Sequence, residues 1–205
     1  MTDPDPLLSV DNPFSTRCVK PGAIAYLFPP GEDPAALVER LRRNAWWGQL
    51  VGPHGSGKST LLATLLPMLE LAGRRPLCFA LHDGQRRLPA DPARSSTVDA
   101  ATIVIVDGYE QLSRWNRWRL KRLCRRRGWG LIVSSHGDAG LPHLMHTTVE
   151  IERAAAIVGR LLGAEQGLIG GDEIAQCLAR HRGDMREMLM ELYDLYEERR
   201  RGVMS

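Results

Sequence analysis

The sequence predicts an α/β fold, a doubly wound parallel sheet followed by a small C-terminal helical lid, and three observations predict it. Short β-prone runs alternate with helical segments between residues 49 and 151, and a chain that returns to its sheet through helices makes parallel strands. Thr102-Ile103-Val104-Ile105-Val106 is an almost unbroken β-branched run, the mark of a strand covered on both faces. Past Glu152 the strands stop, and three helical segments follow, separated by Gly163, Gly167, Gly170-Gly171 and Gly183. The expected organisation is a loose N-terminus over 1–12, the α/β core over 13–152 and the lid over 153–205.

Composition narrows the class. A chain of 205 residues with 43% apolar content can bury a sizeable interior as one domain, or as a core with a small appended unit. No run approaches the ~18–20 apolar residues needed to cross a bilayer, and the start MTDPDPLLSV lacks the basic and apolar regions of a signal peptide, so a cytoplasmic protein with no membrane partner is expected. Cys18, Cys78, Cys124 and Cys177 stand singly, which suggests reduced thiols rather than a zinc knuckle or a disulfide framework. The net charge of +3 is modest, and Lys occurs only at 20, 58 and 121; composition by itself does not point to nucleic acid.

In order along the chain, Pro13 to Phe28 contains the turn signal Pro21-Gly22 and reads as an ordered lead-in rather than a helix. Asp33-Pro34 caps a helix running to about Asn44, with Leu37, Val38 and Leu41 on its apolar face. Gln49-Leu50-Val51 ends a short strand, and Ser59 to Leu71 is a helix that Pro67 should kink or shorten and Gly73 should end. A second strand is expected over Leu77 to Leu81, a polar surface loop over His82 to Ala101, and a third strand over Thr102 to Val106, ending in Asp107. A helix from Ser113 to about Arg127, a strand from Trp129 to Ser134 and a last strand near Thr147 to Ile151 complete the core. Helices over Ala154 to Leu162, Asp172 to His181 and Asp184 to Arg200 make the lid.

Between the first strand and its helix lies Gly52-Pro53-His54-Gly55-Ser56-Gly57-Lys58-Ser59-Thr60, which fits G-x-x-x-x-G-K-[ST] without a mismatch. Glycines let successive backbone N–H groups point into one cavity at a helix N-terminus, which suits a phosphate. Lys58 adds a charge for the β- and γ-phosphates, and Ser59 a hydroxyl for Mg²⁺. Asp107 caps an apolar strand about fifty residues on, where a carboxylate can hold Mg²⁺ through Ser59 and water, or merely open a turn before Gly108. Glu110 is either the group that orients the attacking water or a solvated acid at a helix start. His136, after Ser134-Ser135, stands at the next strand's end, either as a donor to the γ-phosphate or as a loop cap. His136, His143 and His146 have no carboxylate or Cys spacing around them that makes a metal site. Arg186, in the first turn of the last helix behind the N-cap Asp184, opposes the helix dipole and therefore calls for another reason, either a phosphate contact or plain solvation.

Taken together, these stations resemble the AAA+ ATPases and their signalling relatives, the STAND class of phosphate-loop NTPases. Gly52 to Thr60 resembles Walker A, Val104 to Asp107 resembles Walker B, Ser134 to His136 the sensor 1 region and Gly183 to Arg186 the sensor 2 motif. Two departures stand out. AAA+ proteins usually carry Glu directly after the Walker B Asp; here that position is Gly108, and the D-G-x-[DE] form resembles the STAND side. Residues 137–146 are also short for the helix that carries a trans-acting arginine finger. The resemblance implies a Mg²⁺-dependent, ATP-binding and ATP-hydrolysing switch, with Lys58, Asp107, Glu110, His136 and Arg186 in catalytic roles. ATP is favoured over GTP because no N-K-x-D guanine-reading motif is present. The competing readings are a small-molecule or nucleoside kinase, and a nucleotide-dependent module that binds nucleic acid or protein with little hydrolysis.

The segment Ser113 to Arg127 has amphipathic spacing, with Leu112, Trp115, Leu120 and Leu123 expected on one side and Arg114, Arg117, Lys121 and Arg125 on the other. Its basic stripe is either the solvated outer face of a core helix or a contact for nucleic-acid phosphates or an acidic protein.

Overall fold

The computed structural model describes residues 12–95 and 98–203 and divides into two compact units, residues 25–148 and the combination of the N-terminal segment up to Ile24 with residues 149–205. Of the lead-in that the sequence assigned to the core, the part up to Ile24 falls in the smaller unit, whereas Ala25 to Phe28 stay with the larger.

In the larger unit, five strands form one parallel sheet: β1 (Trp47–Val51), β2 (Arg75–Ala80), β3 (Thr102–Asp107), β4 (Gly130–Ser135) and β5 (His143–His146), in spatial order β2-β3-β4-β1-β5. Side chains of a strand alternate between faces, and β3 uses both. Ile103 and Ile105 join Leu50 and Ile132 against α2 (Pro34–Arg43) and α3 (Lys58–Leu71), while Val104 and Val106 join Leu131 and Val133 against α4 (Arg114–Arg127). That two-sided burial is why the run reads as unbroken hydrophobics. Asp33 caps α2 by accepting from Ala36 N–H at 2.7 Å, and Ser113 caps α4 by accepting from Asn116 N–H. The helix α3 runs through the exposed Pro67 to Leu71, so the proline does not shorten it; Gly73, at φ +76, ends the turn. Among its described residues, the loop over 82–101 carries one 3-10 turn, Pro92–Arg94.

The last strand lies earlier than its sequence expectation. β5 pairs with β1 through His143, Met145 and His146, with Leu144 and Met145 buried, and Thr147 to Glu150 form no strand. Ile151 instead begins α5 (Ile151–Leu162), because Ala154, Val158 and Leu162 recur at helical spacing and bury one face.

The smaller unit packs α5, α6 (Gly171–Arg180) and α7 (Met185–Val203) around Val158, Ile174, Leu178, Met188, Leu192 and Tyr196. One helical turn, α1 (Thr16–Val19), belongs to it, and Phe14 sits edge-on to Tyr196 at 6.0 Å between ring centroids. Of the terminus expected to be loose, residues 1–11 lie outside the described residues; Asn12 is buried and donates from Nδ2 to Tyr193 O at 3.1 Å and Glu197 Oε1 at 2.8 Å. Arg199 clamps the Glu173 carboxylate, which also accepts from Gly170 N–H at 2.9 Å. Those bonds, the guanidinium first, hold the Glu173 carboxyl down at about 2.

Candidate functional site

All five strands point the same way, so their carboxyl ends form one edge, and this edge and the loops that leave it carry the site residues expected in the core. Register places Ala80 opposite Asp107, and Val51 opposite both Ser135 and His146.

The loop between β1 and α3 is closed tightly. Gly52 must be glycine: a Cβ there would lie 2.2 Å from Thr147 Oγ1 and 2.4 Å from Thr147 O. Gly57, at φ +87, is the left-handed residue that turns the chain into α3. The buried Ser56 hydroxyl donates to Pro53 O at 2.8 Å and shares a 2.6 Å hydrogen bond with Thr147 Oγ1, while Thr147 N–H donates to Val51 O at 2.8 Å. Thr147, just past β5, thereby ties the far strand to the loop. Lys58 is only 8% exposed, and its ammonium donates to Gly52 O at 2.7 Å and Pro53 O at 2.6 Å. Its charge is thus held against the first two carbonyls of the loop. Ser59 and Thr60 follow it in the first turn of α3.

Asp107 ends β3, and its carboxylate is oriented by a neighbour that the sequence reading assigned elsewhere. The fully buried Ser134 hydroxyl donates to Asp107 Oδ1 and accepts from Gly108 N–H at 3.0 Å. Ser134 is therefore a positioning residue for the carboxylate. Gly108 has φ +78, and a Cβ there would stand 2.7 Å from Leu81 O. No Glu fits directly after Asp107 in this backbone, and the acid stands instead in the 3-10 turn Tyr109–Gln111.

That acid, Glu110, meets His136, which in turn packs on the phosphate loop. Its Oε1 is 3.4 Å from His136 Nε2, and the His136 ring packs on the His54 ring of the phosphate loop at 4.1 Å between centroids. Glu110 Oε2 is buried without a hydrogen-bond partner among the described residues, an exception that calls for a ligand or a function. Burial pushes the His136 imidazole below its usual value; Glu110 raises it, and Lys58 and His54 lower it further. The ring is accordingly neutral at pH 7, a donor at one nitrogen and an acceptor at the other. The structure thus brings Glu110, His136 and His54 into contact, with Lys58 near enough to act on His136, and pairs Asp107 with Ser134.

Arg186 belongs to the smaller unit. It is exposed in the first turn of α7, its backbone N–H donating to Asp184 Oδ1 at 2.9 Å. Sequence reasoning missed three residues that build the edge: Ser134 as partner of Asp107, Thr147, and Gln49, a fully buried side chain that donates to Asp138 and Leu141 O and accepts from Ala139 N–H at 2.6 Å. It also missed a cluster in the smaller unit, where Cys177, His181 and Glu191 bring ligand-type atoms within 4.8 Å; Glu191 there already bonds His181 and Arg180.

Asp107 and Ser59 offer hard oxygen donors of the kind Mg²⁺ takes. Ser134 holds one oxygen of that carboxylate, so the donor chemistry of these residues suits the ion.

No protein-family model and no curated protein matches the sequence. Solved structures do match. Two variants of RuvB from Thermotoga maritima align with TM-scores of 0.53 and 0.52 at 15% and 14% identity, each over 76% of this chain and over 56% and 57% of their own. NtrX from Brucella abortus, solved in complex with ATP, aligns with a TM-score of 0.57 at 12% identity, over 85% of this chain and 54% of its own. The chain spans a little over half the length of these structures. At such identities the likeness defines the fold. A five-stranded parallel sheet with helices on both faces and a glycine-rich loop leaving its first strand is the phosphate-loop NTPase fold.

Proposed function

We propose that the chain is a Mg²⁺-dependent ATPase that works as a nucleotide switch, in the manner of AAA+ and STAND proteins, in the cytoplasm. The observation that carries this reading is the Glu110–His136–His54 contact beside Lys58, with one Glu110 oxygen buried and unpartnered. A loop that only held a phosphate would have no use for such an acid.

In this mechanism backbone N–H groups of residues 54–60 and the Lys58 ammonium take the β- and γ-phosphates. Ser59 and Asp107 would hold Mg²⁺, which when bound would neutralise charge on the phosphate oxygens. Glu110 accepts a hydrogen bond from water at its unpartnered oxygen and takes the proton as that water attacks the γ-phosphorus; the bond from phosphorus to the ADP oxygen breaks, leaving ADP and inorganic phosphate. Neutral His136 donates to the γ-phosphate or holds Glu110 in place.

Phosphate release tests the reading. The wild-type protein with Mg-ATP should turn over, and Glu110→Gln, nearly isosteric, should bind Mg-ATP normally and turn over roughly 100-fold slower or worse. Equal rates in both would remove Glu110 from the chemistry.

A further inference from the structure

The helix α4 carries eight basic residues and no acidic one over Arg114–Arg127, in a chain whose net charge is only +3, so the rest of the chain is net acidic. The structure keeps Leu112, Leu120 and Leu123 inward as expected but turns Trp115 out. The buried residues of the helix are Leu120 and Cys124, and two of its cations turn inward to cap backbone carbonyls: Arg117 Nε donates to Leu112 O at 2.8 Å and Lys121 Nζ to Ala139 O at 2.6 Å. Trp115 and Trp118, by contrast, are 61% and 56% exposed. At 100° per residue, Trp115, Trp118, Arg119, Arg122 and Arg126 fall on one continuous face, flanked by Arg114 and Arg125, and that face contains only arginine and tryptophan.

Its order is regular. The Arg119 guanidinium lies 5.5 Å from the Trp115 ring centroid and that of Arg122 lies 5.4 Å from Trp118, so two Trp–Arg layers follow each other one helical step apart, a rise of ~4.5 Å for three residues. Among the described residues, Arg114, Arg119, Arg122 and Arg126 form no ion pair with a carboxylate. A groove beside the layers is lined by Trp118, Lys121, Arg122, Arg125 and Arg126.

We infer that this face binds a single strand of nucleic acid, with unpaired bases stacked on the two indole–guanidinium layers and phosphates held by Arg122, Arg126 and their neighbours. Charge complementarity calls for a polyanion. The exposed, arginine-backed indoles select among polyanions, because stacking platforms read the faces of unpaired bases, whereas the side chains of an acidic peptide have no aromatic face to lay on them. A duplex hides its base faces, so it gains the phosphate contacts alone.

Fluorescence anisotropy with a labelled oligodeoxythymidylate of about 20 nucleotides, the same sequence as RNA, a duplex and polyglutamate tests the inference on the full chain without ATP. The strand should bind, quench tryptophan fluorescence and weaken steeply between about 50 and 200 mM salt. Trp115→Ala/Trp118→Ala should weaken strand binding at least tenfold and abolish the quenching while keeping the salt slope; Arg122→Ala/Arg126→Ala should flatten the slope. All four positions are exposed, and an unchanged thermal midpoint in each variant shows that the fold is kept. No strand binding at low salt, equal affinity for polyglutamate, a duplex bound as tightly as the strand, or tryptophan variants that bind and quench like the wild type would overturn the proposal. None of these results depends on whether the phosphate loop hydrolyses ATP.

Discussion

Two basic regions of the same unit treat their charge in opposite ways. At the carboxyl edge of the sheet a single ammonium, Lys58, is almost wholly buried and hydrogen-bonded to the loop that presents it. On the outer face of α4 several guanidiniums stand in solvent over exposed indoles. The difference is one of preorganisation. A buried, fixed charge is worth far more to a ligand than a mobile, screened one, so one lysine can define a site, whereas the α4 face needs many arginines in a row. The polar neighbours follow the same division: Ser56, Thr147, Ser134 and Gln49 at the edge are buried and hydrogen-bonded, the first two to each other, Ser134 to Asp107 and Gln49 to Asp138 and the Leu141 carbonyl, and changing any of them should be felt at a distance.

The largest expected effect is at the tightest point of the edge. Gly52→Ala sets a methyl against Thr147, and the clash should lower stability by about 1–3 kcal/mol or more and remove the response to Mg-ATP; a thermal midpoint equal to the wild type would show that the loop can open without cost. Next, Asp107→Asn should abolish the Mg²⁺ dependence of nucleotide binding, while Ser134→Ala, which leaves the carboxylate in place but unaimed, should weaken apparent Mg²⁺ affinity roughly tenfold. A Mg²⁺ titration of nucleotide binding separates the two, and identical titrations for Ser134→Ala and the wild type would reduce Ser134 to a core hydroxyl.

A smaller effect is expected in the helical unit. Glu173 has its folded carboxyl held at about 2, below its usual 4.5, by Arg199. A depressed carboxyl contributes stability that is complete above the unfolded value and is lost as pH falls from about 4.5 toward 2. Glu173→Gln should therefore flatten the decline of the thermal midpoint across that window, discounted by the solvent around the pair; an unchanged profile would assign the acid transition to other carboxylates. Smallest of all, Arg122→Ala should change stability by less than about 0.5 kcal/mol and leave phosphate release untouched. A large loss in either would erase the contrast between the two regions.

What the sequence made legible was local. The phosphate loop, the β3 run ending in Asp107 and the Asp33 and Ser113 caps each lie within a few residues of chain, and pattern reads them directly. Ser134, Thr147 and Gln49 were not legible, because their partners lie 27, 91 and about 90 residues away, and nothing in a hydroxyl or amide announces a distant partner. The α4 face was misread for a related reason. Trp115 is expected to go inward by hydrophobicity, yet Arg117 and Lys121 turn in, because the carbonyls of Leu112 and Ala139 accept from them and their stems cover apolar surface. The last strand slid by four residues because Thr147 to Ile151 reads as β-prone in isolation, whereas β1 selects His143–His146.

The central claim, that Lys58 and its loop bind Mg-ATP, is tested most directly by thermal shift on the wild type and on Lys58→Met, which keeps the apolar stem and deletes the charge. At a nucleotide concentration of about 100 times Kd, linkage stabilises the wild type by ~2.7 kcal/mol, a shift of roughly 5 °C or more for a chain of this size. The account predicts that shift in the wild type and its loss in Lys58→Met, with little change in the unliganded midpoint. A wild type that ignores Mg-ATP, or a Lys58→Met variant stabilised as strongly as the wild type, would contradict it.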